Sequence, residues 1–173
     1  MESLPFRPLH EERVVELANL ELHSGGDLRR WLERSGSVGE EEAVELSFRL
    51  PEFQALRDSL RSVFEASIGG GPFPAAAVER LNEASARVPR VMRLEPGGAT
   101  EAAVASATAA GVLADIARSA IGLVGTERRE RLRRCEACGR SFIATRTDRR
   151  WCSVACGNRT RVARHHARRR ASG

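Results

Sequence analysis

Apolar positions in the first 125 residues recur at helical spacing, broken by short glycine- and proline-rich stretches. In EERVVELANLELH (11–23), Val14, Val15, Leu17, Ala18 and Leu22 make one apolar face, and acids fill the first turn, where the helix dipole favours them. SGGD ends this run, and Asp27 is placed to cap a short helix presenting Leu28, Trp31 and Leu32. Ser37 and Glu40 have capping-box spacing for a helix reaching about Arg49. Pro51 suits a first helical position, and Phe53, Leu56, Leu60, Val63 and Phe64 follow at helical spacing to about residue 67. GGGPFP (69–74) is a break, after which Pro74 opens a further helix, PAAAVERLNEASA. The segment RVPRVMRLEPGGATEAAV predicts a β-hairpin with arms near 90–95 and 100–104. Ala107 to Leu123 reads as a helix of small residues able to pack closely.

This order of elements predicts a mainly α fold, a helical body with one small hairpin. GGGPFP reads as a loop inside that body, because the 68 residues before it hold too few elements to close a core. Trp31, Phe48, Phe53 and Phe64 are expected in the core. His10 and His23 are isolated, and the body shows no catalytic constellation.

Charge changes the picture. All 28 basic side chains are arginine, and the chain has no tyrosine. Residues 1–125 hold 13 arginines against 19 acids, net −6; residues 126–173 hold 15 against 4, net +11; together they give the chain's +5. So basic a block suits a polyanionic partner, in competition with packing against its own acidic body. No stretch approaches the roughly 20 apolar residues of a membrane span. MESLPFRPLHEE lacks the basic start and apolar run of a secretion signal. The expectation is a cytoplasmic protein, where thiols stay reduced and four cysteines point to a metal before disulfides.

The cysteines are Cys135, Cys138, Cys152 and Cys156, spaced C-x2-C-x13-C-x3-C. Four thiolates at about 2.3 Å complete a tetrahedral zinc site with no position left for water, which is a structural site. Reduced structural thiols and an iron–sulfur cluster are the competing readings. Gly139 falls where the knuckle needs positive φ. Residues 140–145 and 149–151 suggest the arms of a hairpin, with Phe142 and Trp151 covering the metal in a module too small for a full core. Ser153 is placed to cap a helix carrying Cys156 in its first turn, so that zinc fixes the start of an otherwise marginal helix. Knuckle, hairpin and ligand-bearing helix form a treble-clef arrangement. Gly157 permits close approach of a neighbouring backbone, and Asn158 supports the site by bonding a thiolate or tying down the knuckle. On the helix, Arg161, Arg164, His165 and Arg168 share a face that can follow phosphates or enter a major groove. Arg159 is placed to orient the helix or reach a phosphate, and the terminal Arg168, Arg169 and Arg170 add non-specific attraction.

Cys156-Gly157-Asn158-Arg159 spells CGNR, after WCS and before an arginine-rich end. With the four cysteines, RLRRC and RRWCS, residues 128–170 resemble the CGNR zinc-finger family of bacterial proteins. There the finger follows a domain called ABATE, associated with stress-induced transcription regulation. For residues 10–125 the resemblance rests on the order of elements. Family members often have one more residue within each cysteine pair; the pairs here are tighter. The resemblance implies a regulator with an ABATE-like body over 1–125, a sensor or dimerisation unit, and a DNA-binding CGNR finger over 126–173. It also implies a homodimer or a small-molecule ligand in the body as candidate partners. An RNA- or ribosome-associated treble clef and a protein-interaction finger are the alternatives. An enzyme is not expected: nuclease fingers need a catalytic His and an open metal, and Asp148 has no His beside it.

Overall fold

The computed structural model of the chain describes residues 10–36, 38–103 and 108–171. In chain order it contains α1 (Glu11–Asn19), α2 (Gly25–Ser35), α3 (Glu40–Ser47), α4 (Leu50–Gly69), α5 (Ala75–Ala86), β1 (Arg90–Glu95), β2 (Gly98–Ala103), α6 (Ala109–Val124), a 3-10 turn (Glu127–Arg131), β3 (Leu132–Arg134), β4 (Ser141–Ile143) and α7 (Val154–Ala171).

Local chemistry sets most of these boundaries. α1 stops at Asn19, sooner than its apolar stripe suggests, and Leu22 is buried from the following loop. Ser24, not Asp27, caps α2. The Ser24 hydroxyl accepts from the Asp27 N–H at 3.2 Å, and the Asp27 carboxylate accepts from the Ser24 N–H at 2.9 Å. The two side chains satisfy each other's orphan donors, which Asp27 as cap would not achieve. α3 begins at Glu40, where the Gly39 N–H donates to the Glu42 carboxylate at 2.9 Å. The expected Ser37–Glu40 box involves Ser37, which lies outside the described residues. α3 ends at Ser47, and Phe48 and Arg49 turn the chain into α4, where Pro51 occupies the first turn. Phe48, expected in the core, is 80% exposed, because this turn breaks its helical register with Phe53.

α4 is the spine. α1, α5 and α6 pack against it, and α2 and α3 pack on each other. The loop through GGGPFP joins α4 to α5, two helices in contact. Trp31, Phe53, Phe64, Leu17, Leu28, Leu60, Ile116 and Leu123 lie fully buried at the centre. Each such side chain contributes about 1.5–3 kcal/mol relative to exposure. Thr108 caps α6, its hydroxyl accepting from the Gly111 N–H at 3.1 Å.

β1 and β2 pair antiparallel from Arg90↔Ala103 to Glu95↔Gly98. The second arm starts two residues before the expected position, because the Pro96-Gly97 turn leaves Glu95 opposite Gly98. β3 and β4 form a second hairpin, Leu132↔Ile143 to Arg134↔Ser141. It lies against α1 and α4, and Leu132 and Ile143 are buried in the same apolar core as the body helices. Among the described residues, no helix is long and apolar enough to cross a membrane.

Candidate metal centre and basic helix

The finger's hairpin is not the expected one. Its arms flank the first cysteine pair, at 132–134 and 141–143, whereas 149–151 is not a strand. The reason is the knuckle. Cys135 N–H donates to Arg140 C=O at 2.8 Å and Gly139 N–H to Cys135 C=O at 2.8 Å, which closes the turn between the arms. Gly139 makes this possible at φ 75°, a conformation that side chains disfavour. The 149–151 segment is instead held by Glu136 through both its backbone and its side chain. Glu136 N–H donates to Arg150 C=O at 3.2 Å, and the Arg150 guanidinium meets the Glu136 carboxylate at 2.5 Å.

The sulfurs of Cys135, Cys138, Cys152 and Cys156 all lie within 4.8 Å of one another. The Cys138–Cys152 and Cys152–Cys156 Sγ separations are each 3.7 Å. A tetrahedron with bonds of about 2.3 Å has edges of about 3.8 Å, so these distances fit a zinc between the thiolates. They are far beyond a disulfide's roughly 2.05 Å. Cys135 and Cys156 are buried, Cys152 is half-buried and Cys138 is exposed. Burial opposes ionisation of Cys135, but N–H groups of Cys152, Ala137 and Cys138 and a hydrogen bond with the Cys138 thiol outweigh it, lowering that thiol to about 6. Cys152 is pushed up to about 12, by burial and then by the thiols around it. One thiolate makes the next harder to form, since like charges at close range oppose each other. The four thiolates hold one structural zinc ion.

Ser153 starts the last helix as expected, its hydroxyl accepting from the Cys156 N–H at 3.2 Å. Cys156 thereby sits in the first turn of α7. Phe142 and Ala144 are buried with Cys135 and Cys156, and Trp151 packs against them. Gly157 admits the Trp151 ring and not a backbone: a Cβ there would meet the ring at 3.3 Å. Asn158 is exposed and bonds neither thiolate nor knuckle; its Oδ1 accepts from the Arg161 guanidinium at 2.5 Å.

From Asn158 onward the described side chains of α7 are exposed, with only Thr160 half-buried. Arg159, Arg164, Arg169 and Arg170 have no acidic partner among the described residues. Arg161, Arg164 and Arg168 recur at spacings of three and four, on one face. His165 is within α7, but its side chain lies outside the described atoms. The basic segment is not uniform. Arg128 and Arg131 pair with Glu11 at 2.8 and 3.9 Å, and Arg134 with Glu65 at 3.8 Å. Packing against the acidic body therefore applies to the hairpin side.

Two supporting residues had no signal in the sequence. Arg149 donates to Trp151 C=O at 3.0 Å and Cys152 C=O at 2.7 Å, with its guanidinium 5.5 Å from the Phe142 ring centre. It looks like every other arginine in the segment. Asn19, at the end of α1, bonds the backbone of Ser141 across the chain.

No curated protein matches the chain closely enough to count as a relative. Two family models do match: residues 8–127 match ABATE, described as "Putative stress-induced transcription regulator", and residues 131–169 match the CGNR zinc finger. The first covers well over half of the chain and the second contains the whole four-cysteine cluster, and the chain belongs to the ABATE family with a CGNR zinc finger at its C-terminal side.

Proposed function

We propose that the protein is a transcription regulator that binds nucleic acid, duplex DNA in preference, through α7. The observation that carries this reading is a helix with six arginines and no acid, whose described side chains from Asn158 onward are exposed apart from half-buried Thr160, and which is anchored at one end to a zinc site. Zinc and the Ser153 cap set where the helix begins, and Trp151 against Gly157 sets its direction. Arg161, Arg164, His165 and Arg168 form the candidate reading face, with Asn158 holding Arg161 in place. Arg159, Arg169 and Arg170 supply phosphate attraction. A helix of this size fits a major groove, where arginine reads guanine with two hydrogen bonds. One finger covers little surface, so specific binding calls for a homodimer or a second contact. The body acts as sensor or dimerisation unit, the protein works in the cytoplasm, and it performs no catalysis.

The test is binding of zinc-loaded protein to pooled random duplexes and to structured RNA at about 0.15 M salt. Affinity for duplex is expected to fall with salt by about 0.9 in log slope per phosphate neutralised. Arg161→Ala with Arg164→Ala costs more than deletion of residues 169–173 if the helix reads bases. A strong RNA preference would replace DNA by RNA, and binding to neither would leave a protein-interaction finger.

A further inference from the structure

We propose that the β1–β2 hairpin is a self-association surface, through which β1 of one copy of the chain pairs antiparallel with β1 of a second copy. The proposal rests on the reading of the body as a dimerisation unit and gives that unit its contact.

The hairpin leaves the body almost at once. Val88, just before it, is buried; Arg90, its first residue, is half-buried and meets the Asp115 carboxylate on α6 at 3.2 Å. From Val91 to Ala99 every residue is exposed. Among the described residues, neither strand packs substantially on another element, and the outer edge of β1 has no partner strand. A two-stranded hairpin alone in water is marginal, and an open edge offers its backbone groups to another extended chain.

The apolar side chains sit where a solvated arm would not place them. Side chains alternate along a strand, so Met92 and Leu94 project to one face and Val91, Arg93 and Glu95 to the other. Leu94 is 88% exposed and Met92 70%, with Ala99 opposite Leu94 on the same face. Two large apolar side chains beside an open strand edge mark a contact surface.

The charges choose the occupant. Arg93 and Glu95 share a face, and neither has an ion pair among the described residues. A wholly acidic or wholly basic partner would satisfy one and repel the other. A second copy satisfies both at once. About a two-fold axis at Leu94, antiparallel pairing sets Arg93 of each copy opposite Glu95 of the other. The same axis sets Leu94 against its counterpart, with each Met92 diagonal to it. A slip of one residue puts Arg93 opposite Leu94, and the next slip puts Arg93 opposite Arg93, so the side chains specify the register. No residue of α7 takes part, so the pair presents two free reading helices.

The experiment is sedimentation velocity of the zinc-loaded full chain across a dilution series. The expected record is a monomer–dimer equilibrium. Leu94→Glu raises the dissociation constant by about tenfold or more, because it buries two carboxylates at the axis. Arg93→Glu alone and Glu95→Arg alone each weaken association, since like charges then face each other between copies. Arg93→Glu combined with Glu95→Arg restores it to within about threefold of the parent, a recovery that damage to the fold would not produce. A chain monomeric throughout, a dimer unmoved by Leu94→Glu, or a double variant as weak as the single ones overturns the hairpin contact. Duplex binding by the same samples separates the claims. A monomer that binds duplex removes the contact and keeps the reading of α7, and a dimer unmoved by Leu94→Glu keeps the dimerisation reading with its interface elsewhere.

Discussion

The side-chain amide of Asn19 pairs with both backbone groups of Ser141, 122 residues away: Nδ2 donates to the carbonyl at 2.8 Å, and Oδ1 accepts from the N–H at 3.0 Å. The same Nδ2 also donates to Val15 C=O at 2.8 Å, so the end of α1 and the edge of β4 share one side chain. Asn19 does for β4 what a neighbouring strand would do, and it fastens the finger's hairpin to the body.

Asn19→Ala removes that pairing and leaves part-buried backbone groups without it, at a cost of about 1–3 kcal/mol. Denaturant unfolding of the zinc-loaded protein checks the size. Amide exchange at Ser141 is expected to quicken more than exchange in α4; equal rates in variant and parent would refute the role.

Chelation of zinc is expected to unfold the knuckle and α7 while the helical body persists, because structural zinc contributes folding energy that small modules lack. Loss of helical circular dichroism in proportion to α7, with a remaining cooperative transition, is the expected record. Retention of the complete signal after metal removal would contradict it.

Arg149→Ala is expected to lower zinc affinity about 10–100-fold, the usual effect of losing a residue that orients metal ligands. Its bonds to Trp151 C=O and Cys152 C=O hold the loop that delivers the third thiolate. Arg133→Ala, an exposed position with no ion pair among the described residues, is the control and is expected to leave zinc affinity unchanged. Competition with a chromogenic chelator measures both.

Gly157→Val places carbon against the Trp151 ring, where even a Cβ would come to 3.3 Å. The ring must move, and its emission is expected to shift to the red as it leaves the cover of the metal site. Trp31 is fully buried elsewhere, so the change reports on Trp151. An unchanged spectrum with full zinc occupancy would show that the contact yields freely.

Ser24→Ala is expected to cost about 1 kcal/mol through the lost cap of α2. The Ser24 hydroxyl, then the His23 and Ser24 N–H groups and Arg30, hold Asp27 below its ordinary 3.8 against desolvation. A lowered folded-state pKa means that Asp27 supports the fold above its unfolded pKa and loses that support as pH falls through the lower folded value. The loss is therefore confined to pH below about 4. Carboxyl titration followed by NMR checks it, and a midpoint for Asp27 above 3.8 would reverse the sign.

The sequence by itself determined what depends on near neighbours. The apolar stripes of α1, α2, α4 and α6 follow from helical period. The four zinc ligands follow from their spacing, the turn at Gly139 from its freedom in φ, and the start of α7 from Ser153 three residues before Cys156. Even within that range, competition between close neighbours misled: Ser24 and Asp27 cap α2 reciprocally, and Phe48 falls on a turn that faces solvent. Tertiary structure alone decided what depends on partners far along the chain. No local pattern marks Asn19 as the partner of Ser141, separates Arg149 from the other arginines of the finger, or brings Arg90 to Asp115. It also sorted the basic segment, sending Arg128, Arg131 and Arg134 to acids on the body and leaving most of α7 in solvent. The physical reason is that a side chain's spacing fixes its face on an element, whereas its charge and hydrogen-bond partners are fixed only when another element is packed against that face.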